Sequence, residues 1–190
     1  MVDRRPPQPS AGQAFSAPSA GRPGSRAHPA APPLPRSEPV RLRIPAIGVN
    51  ASLARLGLDR TGALRPPPEG DPGVAGWYGG GTAPGSRGTA VTTGHVDTRA
   101  GSPGVFYRLG AVTKGEAVEI SRSDGRTAVF TVDAVEVYDK DSFPARKVYG
   151  GSGRPELRVI TCGGPAGDGG YRGNVVVYAT LTAVRGTKTG

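Results

Sequence analysis

The chain has 190 residues, including 31 glycines, 20 prolines and a single cysteine, and its formal net charge is +9. One cysteine excludes an internal disulfide, and no apolar run approaches the ~18 residues that a membrane-spanning helix needs. The positive charges are scattered and form no basic helix or basic-aromatic stripe, so we expect no nucleic-acid partner. An anionic surface, such as a membrane face or a cell wall, suits this charge better.

The first 39 residues differ in composition from the rest of the chain. They hold ten of the 20 prolines, and their only larger apolar residues are Val2, Phe15 and Leu34. Such a segment buries too little apolar surface to offset the entropy of ordering its backbone. We therefore predict that residues 1–39 form a disordered, proline-rich tether and that residues 40–190 form one folded domain.

The remainder of the chain is typical of short strands separated by turns. Alternating or continuous apolar runs predict strands at 40–44, 89–93, 117–121, 127–132, 135–138, 157–160 and 175–180. Residues 59–88 are rich in turn signals and are predicted to be loop, one helical turn is expected at 105–109, and 139–156 is expected to be a loop with one short helix. Many short strands without a long amphipathic helix predict an all-β barrel or sandwich.

The single cysteine, Cys162, follows the predicted strand 157–160 and precedes a glycine-rich stretch. A free cysteine is either a small buried hydrophobe or, at a strand end near the rim of a fold, an accessible nucleophile. His95 has the same placement, after the strand 89–93 and a glycine, and is either a hydrogen-bonded structural histidine or a catalytic one. The other histidine, His28, lies in the predicted tether and is a poor catalytic candidate.

A cysteine, a histidine and an arginine together can perform nucleophilic acyl transfer. The thiolate of Cys162 can attack a carbonyl, the imidazole of His95 can exchange protons with the leaving and incoming groups, and Arg172 can stabilise an oxyanion. One cysteine and one histidine fall short of the four ligands of a structural zinc site, so we expect neither a metal nor another cofactor. Asp97 either orients the imidazole or caps a turn.

These motifs resemble those of the sortases. Ile160-Thr161-Cys162 resembles their Thr-Leu-x-Thr-Cys signature, and Thr93-Gly94-His95 resembles their histidine motif. Arg172, ten residues after the cysteine and before a final apolar strand, resembles their third catalytic position. With Tyr171-Arg172-Gly173-Asn174-Val175, the combination is most similar to the actinobacterial class F group, over roughly residues 40–184.

The resemblance implies an eight-stranded β-barrel with one or two short helical turns and a membrane-anchored cysteine transpeptidase. Such an enzyme cuts a Leu-Pro-x-Thr-Gly sorting signal between Thr and Gly, holds the Thr carbonyl as a thioester, and passes it to a cell-wall amine. By motif, Cys162 is the nucleophile, His95 the acid and base, and Arg172 the oxyanion stabiliser. The expected partners are sorting-signal peptides and a cell-wall precursor amine. The expected location is the extracellular face of the cell membrane, with the anchor outside this chain.

The resemblance also implies a groove that binds the sorting signal. In the predicted loop 139–156, Phe143 and Val148 belong to an apolar group that either forms a wall of this groove or packs in the core. Thr161, on the opposite side of a regular strand from the cysteine, supports either the loop or the substrate. Asn174 stands where many sortases carry their arginine, which puts the role of Arg172 in question and makes Asn174 a further substrate-contacting candidate.

Two alternatives stay open at the level of sequence. An L,D-transpeptidase is also a Cys/His β-protein of the cell wall, but its Ser-x-Gly-Cys context is absent, because Ile160 and Thr161 precede Cys162. A non-enzymatic β-barrel module that binds the cell wall and carries an incidental thiol would show the same strand pattern.

Overall fold

A computed structural model describes residues 6–15, 28–68, 71–98, 101–162 and 173–186, and for Cys162 it describes the backbone. The strands in these ranges are β1 (Pro39–Ile44), β2 (Val49–Leu56), β3 (Val74–Tyr78), β4 (Gly88–His95), β5 (Ala117–Arg122), β6 (Arg126–Asp139), β7 (Pro155–Cys162) and β8 (Gly173–Gly186). They close into a barrel in the order β1-β2-β3-β4-β7-β8-β6-β5. A short helix, α1 (Ala145–Tyr149), and brief 3₁₀ turns accompany them. The expected eight-stranded barrel is confirmed.

The core of the barrel consists of inward-facing side chains from all eight strands. In β1, Leu42 and Ile44 are fully buried while the intervening arginines are exposed, as the alternating sequence predicts. Phe106, Leu109 and Val112 come from the segment between β4 and β5 and are also fully buried. This segment directly follows the strand that carries the candidate histidine, and it contributes to the core of the barrel.

Two pairs of neighbouring strands are parallel, β2 with β3 and β4 with β7, and the other pairs are antiparallel. The β4–β7 register is regular along the full length of both strands, from Gly88 opposite Pro155 to His95 opposite Cys162. Parallel strands present their carboxyl ends at the same edge of a sheet. The residues that end β4 and β7 therefore meet at one rim of the barrel.

The strand assignments differ from the sequence prediction mainly at three places. β2 is not among the predicted strands, and residues 59–88, where turn signals predict loop, also contain β3. Its central Gly76 packs so closely under Leu56 that a Cβ atom there would collide with the leucine side chain. The two strands predicted at 127–132 and 135–138 are one continuous strand, β6, with a register shift next to Asp133.

Described parts of the first 39 residues contact the barrel. The backbone nitrogen and Nδ1 of His28 lie 2.7 and 2.8 Å from Oδ1 of Asp133, whose carboxylate is almost completely buried. The backbone nitrogen of Ala31 donates to the carbonyl of Leu181 at 2.7 Å. The domain boundary at residue 39 and the disorder of the residues before it stay predictions. The contacts described here provide a way to test both.

Two truncated chains separate a packed segment from a free tether. We expect the chain without residues 1–38 to unfold about 5–15 °C below the full chain, because Asp133 loses its histidine partner and several backbone hydrogen bonds disappear. The chain without residues 1–27 keeps these contacts and should unfold closer to the full chain. Thermal unfolding followed by circular dichroism measures both. Equal melting temperatures for all three chains would support a tether that contributes nothing to the fold.

Candidate active site

Three of the candidate residues, His95, Cys162 and Asn174, lie side by side on adjacent strands. The Cα atoms of His95 and Cys162 are register partners, and neighbouring strands lie about 4.8 Å apart. On the other side of β7, Ile160 pairs with Val176 of β8. Continuing this antiparallel register by two residues places Asn174 opposite Cys162. The three positions therefore form a row across β4, β7 and β8, which we call the rim row.

The outer faces of the same three strands continue below the rim row. Two further rows follow at intervals of two residues: Thr93, Ile160 and Val176, and then Val91, Arg158 and Tyr178. Most of these residues are buried although they face away from the barrel core, and they form a second apolar cluster. Chain segments outside the barrel must therefore cover this face.

The backbone around His95 is fixed by the segment that follows β4. Gly94 faces the core, and a Cβ atom there would lie 2.5 Å from the ring of Phe106, so this position favours glycine. The backbone nitrogen of Phe106 donates to the carbonyl of His95 at 3.0 Å. These contacts hold the last residue of β4 in extended conformation.

The imidazole of His95 is hydrogen-bonded to the segment between β2 and β3. Its Nε2 lies 2.8 Å from the carbonyl oxygen of Pro67, which is buried. A carbonyl oxygen only accepts hydrogen bonds, so Nε2 carries the proton in this arrangement. The ring is therefore oriented by a backbone group from outside its own strand.

A cavity of about 1050 Å³ lies over the outer face of β3, β4 and β7. One wall is the β2–β3 segment, residues 57–68, which is closed by a bridge between Leu58 and Leu64. Another wall is the β6–β7 segment, residues 140–154. The lining is mostly apolar or small and includes Leu58, Leu64, Tyr78, Val91, Phe143, Tyr149, Ile160, Thr161 and Asn174. The cavity extends to the rim row, because Asn174 is one of its lining residues.

The structure separates the substrate-contacting candidates. Phe143 lines the cavity and packs edge-to-face on Tyr138, with ring centroids 5.9 Å apart. Thr161 also lines the cavity, and its hydroxyl accepts a hydrogen bond from the backbone nitrogen of Val175 at 2.9 Å, which ties β7 to β8. Val148 is the buried residue of α1; it is fully buried in the second apolar cluster and is not among the lining residues.

The remaining candidates lie beside this arrangement or outside the described residues. Arg172 falls in the range 163–172, outside the described residues. Asp97 pairs with Pro103 through a backbone bridge, and within the described part of the chain no hydrogen bond joins its carboxylate to His95. Partial burial raises the pKa of Asp97 above its ordinary value.

Arg158 has a structural role that sequence reasoning missed. Its guanidinium is buried, donates from Nε to the carbonyl of Val148 at 2.8 Å, and lies 4.5 Å from the ring centre of Tyr178. Glu156 lies 3.6 Å away as its ion partner. Burial lowers the pKa of Arg158, but a guanidinium stays charged in proteins. Arg158 therefore attaches the β6–β7 segment to the floor of the cavity.

Metal ligands do not cluster in the described ranges: no group of three or more His, Cys, Asp or Glu side chains there could hold a metal ion. The polar groups that reach the cavity are instead backbone amides, hydroxyls, an asparagine and two cationic side chains. Within the same ranges, no helix is long and apolar enough to cross a membrane.

Comparison with known protein families supports a single assignment. A family model described as the Sortase domain matches residues 42–182, which is most of the chain. A comparison with curated protein sequences found no significant match.

Solved structures share the barrel. The sortase A structure from Listeria monocytogenes is 15% identical with a TM-score of 0.57, and the match covers 80% of this chain and 92% of that one. The SrtA sortase from Actinomyces oris is 20% identical with a TM-score of 0.56, covering 86% and 91%. A lid mutant of sortase A from Corynebacterium diphtheriae is 21% identical with a TM-score of 0.57, covering 78% and 73%. At these identities the likeness concerns the fold.

The role of Arg158 can be measured through the segment that it holds. We expect Arg158→Met to lower the free energy of unfolding by about 2–4 kcal/mol, because the carbonyl of Val148 loses a charged donor and Glu156 loses its buried partner. Chymotrypsin should also cleave faster after Phe143 or Tyr149. Urea unfolding and limited proteolysis measure the two effects.

Arg146→Met is the matched control, because Arg146 lies on the same β6–β7 segment and is exposed. It removes one guanidinium without touching the buried contacts. Equal urea midpoints and equal cleavage rates for the two variants would contradict the proposed attachment.

Proposed function

We propose that this chain, which belongs to the sortase family and is a cysteine transpeptidase, cleaves a Leu-Pro-x-Thr-Gly type sorting signal with Cys162, His95 and Arg172. The observation that supports this assignment is the rim row. His95 and Cys162 are register partners at the carboxyl ends of two adjacent parallel strands. The row stands at one end of a cavity large enough for several peptide residues.

In the first step, the thiolate of Cys162 attacks the carbonyl carbon of the Thr–Gly bond. The π electrons of the carbonyl move onto its oxygen, and Arg172 stabilises the resulting oxyanion. When the oxyanion collapses, the C–N bond breaks and the glycine amine leaves with a proton from the imidazolium of His95. The products are a thioester on Cys162 and a free amino-terminal glycine peptide.

In the second step, a primary amine attacks the thioester carbonyl. His95, now neutral, accepts the proton that the amine loses, and Arg172 again stabilises the oxyanion. The C–S bond then breaks, so that the thiolate of Cys162 and the imidazolium are restored and a new amide is formed. The acceptor is an amine of a cell-wall precursor, and water in its place gives hydrolysis.

The substrate-contacting roles are divided among the candidates. Phe143, Thr161 and Asn174 line the cavity and contact the bound signal. Val148 acts indirectly: it packs the β6–β7 segment onto the outer face of the strands and so supports the wall that Phe143 forms. In this proposal Asp97 belongs to the turn after β4 and takes no part in proton transfer.

The finer assignment rests on sequence motifs. We assign the chain to the actinobacterial class F group because of its Gly94-His95-Val96-Asp97 and Tyr171-Arg172-Gly173-Asn174 stretches. Its partners are sorting signals of surface proteins, and it acts at the extracellular face of the membrane. Its high positive charge suits work beside the anionic surface of a cell wall.

The thiol mechanism is tested with the full chain, a five-residue sorting peptide with short flanks, and triglycine as the amine. We expect mass spectrometry to detect cleavage after Thr and a peptide thioester on the protein. Cys162→Ala should abolish both, because the thiolate of Cys162 is the group that carries the acyl in this mechanism. His95→Ala should lower turnover by about 10²–10⁴. Peptide binding without cleavage by the wild-type chain would instead support a non-enzymatic wall-binding module.

The arginine assignment is tested by two single substitutions. Arg172→Ala should lower kcat by about 10²–10³, the usual loss for one oxyanion donor. Arg172→Lys should restore part of this loss, because an ammonium keeps the charge but lacks the planar fork. Asn174→Ala is the informative comparison, since Asn174 lines the cavity. If it lowers kcat more than Arg172→Ala does, Asn174 is the stabilising group. A thiol reagent should modify Cys162 at the same rate in all three variants.

A further inference from the structure

The charged side chains that line the cavity have one sign. Arg65, from the β2–β3 segment, and Lys140, from the β6–β7 segment, belong to the lining, and none of the described lining residues is an Asp or a Glu. Asp139 and Asp141 flank Lys140 in the chain but lie outside the lining. An otherwise apolar cavity thus has two cationic residues in its lining, one in each of two separate walls.

The guanidinium of Arg65 is held in place from one side. Its Nε donates to the carbonyl of Leu58 at 3.3 Å, and its backbone nitrogen donates to the carbonyl of Gly57 at 2.9 Å. Among the described residues, no carboxylate lies within ion-pair distance of it. The terminal nitrogens of the guanidinium are therefore available to a carboxylate that enters the cavity.

The nearest acidic residue in the same segment is already engaged. Oδ1 of Asp59 accepts hydrogen bonds from the backbone nitrogen and hydroxyl of Thr61, at 2.8 and 2.6 Å, and from the backbone nitrogen of Ala63 at 3.1 Å. These bonds stabilise the carboxylate and, with a smaller contribution from Arg65, lower the pKa of Asp59. Asp59 therefore closes its own turn and attracts Arg65 only beyond ion-pair distance.

From this arrangement we infer that the enzyme prefers sorting signals with an acidic residue at the variable position, and that Arg65 is the main specificity-determining residue, assisted by Lys140. The inference rests on the proposed function. Leu, Pro, Thr and Gly occupy the other positions of the signal, so a selected carboxylate must come from the variable residue. A bidentate arginine–carboxylate contact fixes orientation as well as charge.

The test compares three peptides that differ only at the variable position, which carries Glu, Gln or Lys. We expect kcat/KM to decrease in the order Glu, Gln, Lys, with the Glu peptide about 5–30-fold above the Lys peptide at low salt. The ratio should fall toward 1 at about 0.5 M salt, because partly exposed charges are screened there. Product formation is followed by chromatography and mass spectrometry.

Variants assign the preference to particular side chains. Arg65→Gln should reduce the Glu-to-Lys ratio several-fold, Lys140→Gln should reduce it less, and Arg65→Glu should invert it. Arg60→Gln is the matched control, because Arg60 is an exposed arginine in the same segment and is not a lining residue. It should keep the ratio of the wild-type chain.

The outcomes separate this inference from the proposed function. If the folded wild-type chain cleaves all three peptides with equal kcat/KM, the acidic preference is overturned and the transpeptidase assignment stands. If the ratio survives in both Arg65→Gln and Lys140→Gln, the assignment to these residues is overturned. If none of the peptides is cleaved, the proposed function fails and the inference fails with it.

Discussion

The parallel pairing of β4 with β7 is the constraint on which the site depends. It brings together His95 and Cys162, which are far apart in sequence, because the two strands end at the same rim. A slip of one residue would exchange the two faces of a strand and set His95 opposite Thr161, which lies on the same face of β7 as the core residues Leu157 and Val159. The buried bond from the Thr92 hydroxyl to the Arg158 carbonyl, 2.9 Å long, and the core packing of the inner face both fix this register.

The walls of the cavity depend on the same strands through a few polar contacts. On one side, the imidazole of His95 is bonded to the carbonyl of Pro67 in the β2–β3 segment. On the other side, Arg158 is bonded to the carbonyl of Val148 in the β6–β7 segment. Both wall segments are therefore attached to outward-facing residues of the floor. Movement of the β2–β3 segment and the orientation of the His95 imidazole are coupled through the first of these contacts.

Local sequence predicts the strands whose apolar pattern is uninterrupted. It does not predict the strands that depend on contacts with residues far away in the chain. β1, β4, β7 and β8 were predicted to within a few residues, apart from the extension of β8 beyond residue 180. β3 was missed because Gly76 interrupts its pattern, and only the packing of Leu56 explains that glycine. The sequence pattern predicts two shorter strands in place of β6, with the carboxylate of Asp133 between them. Here His28 and the hydroxyl of Thr180 satisfy that carboxylate.

In the candidate site, too, local sequence predicts residue types but not which side chains are buried. The motifs identified the residue types at the rim, but they did not indicate that Gly94 packs against Phe106 there. No local pattern could distinguish Phe143, which lines the cavity, from Val148, which is buried beneath it. Arg158 has the periodicity of a solvent-facing strand residue, and it is buried only because the β6–β7 segment, which directly precedes β7, folds over it. The outer face of a barrel is normally exposed to water. Here the second apolar cluster covers part of that face, so that its residues are buried. The buried guanidinium of Arg158 holds the β6–β7 wall of the cavity against it.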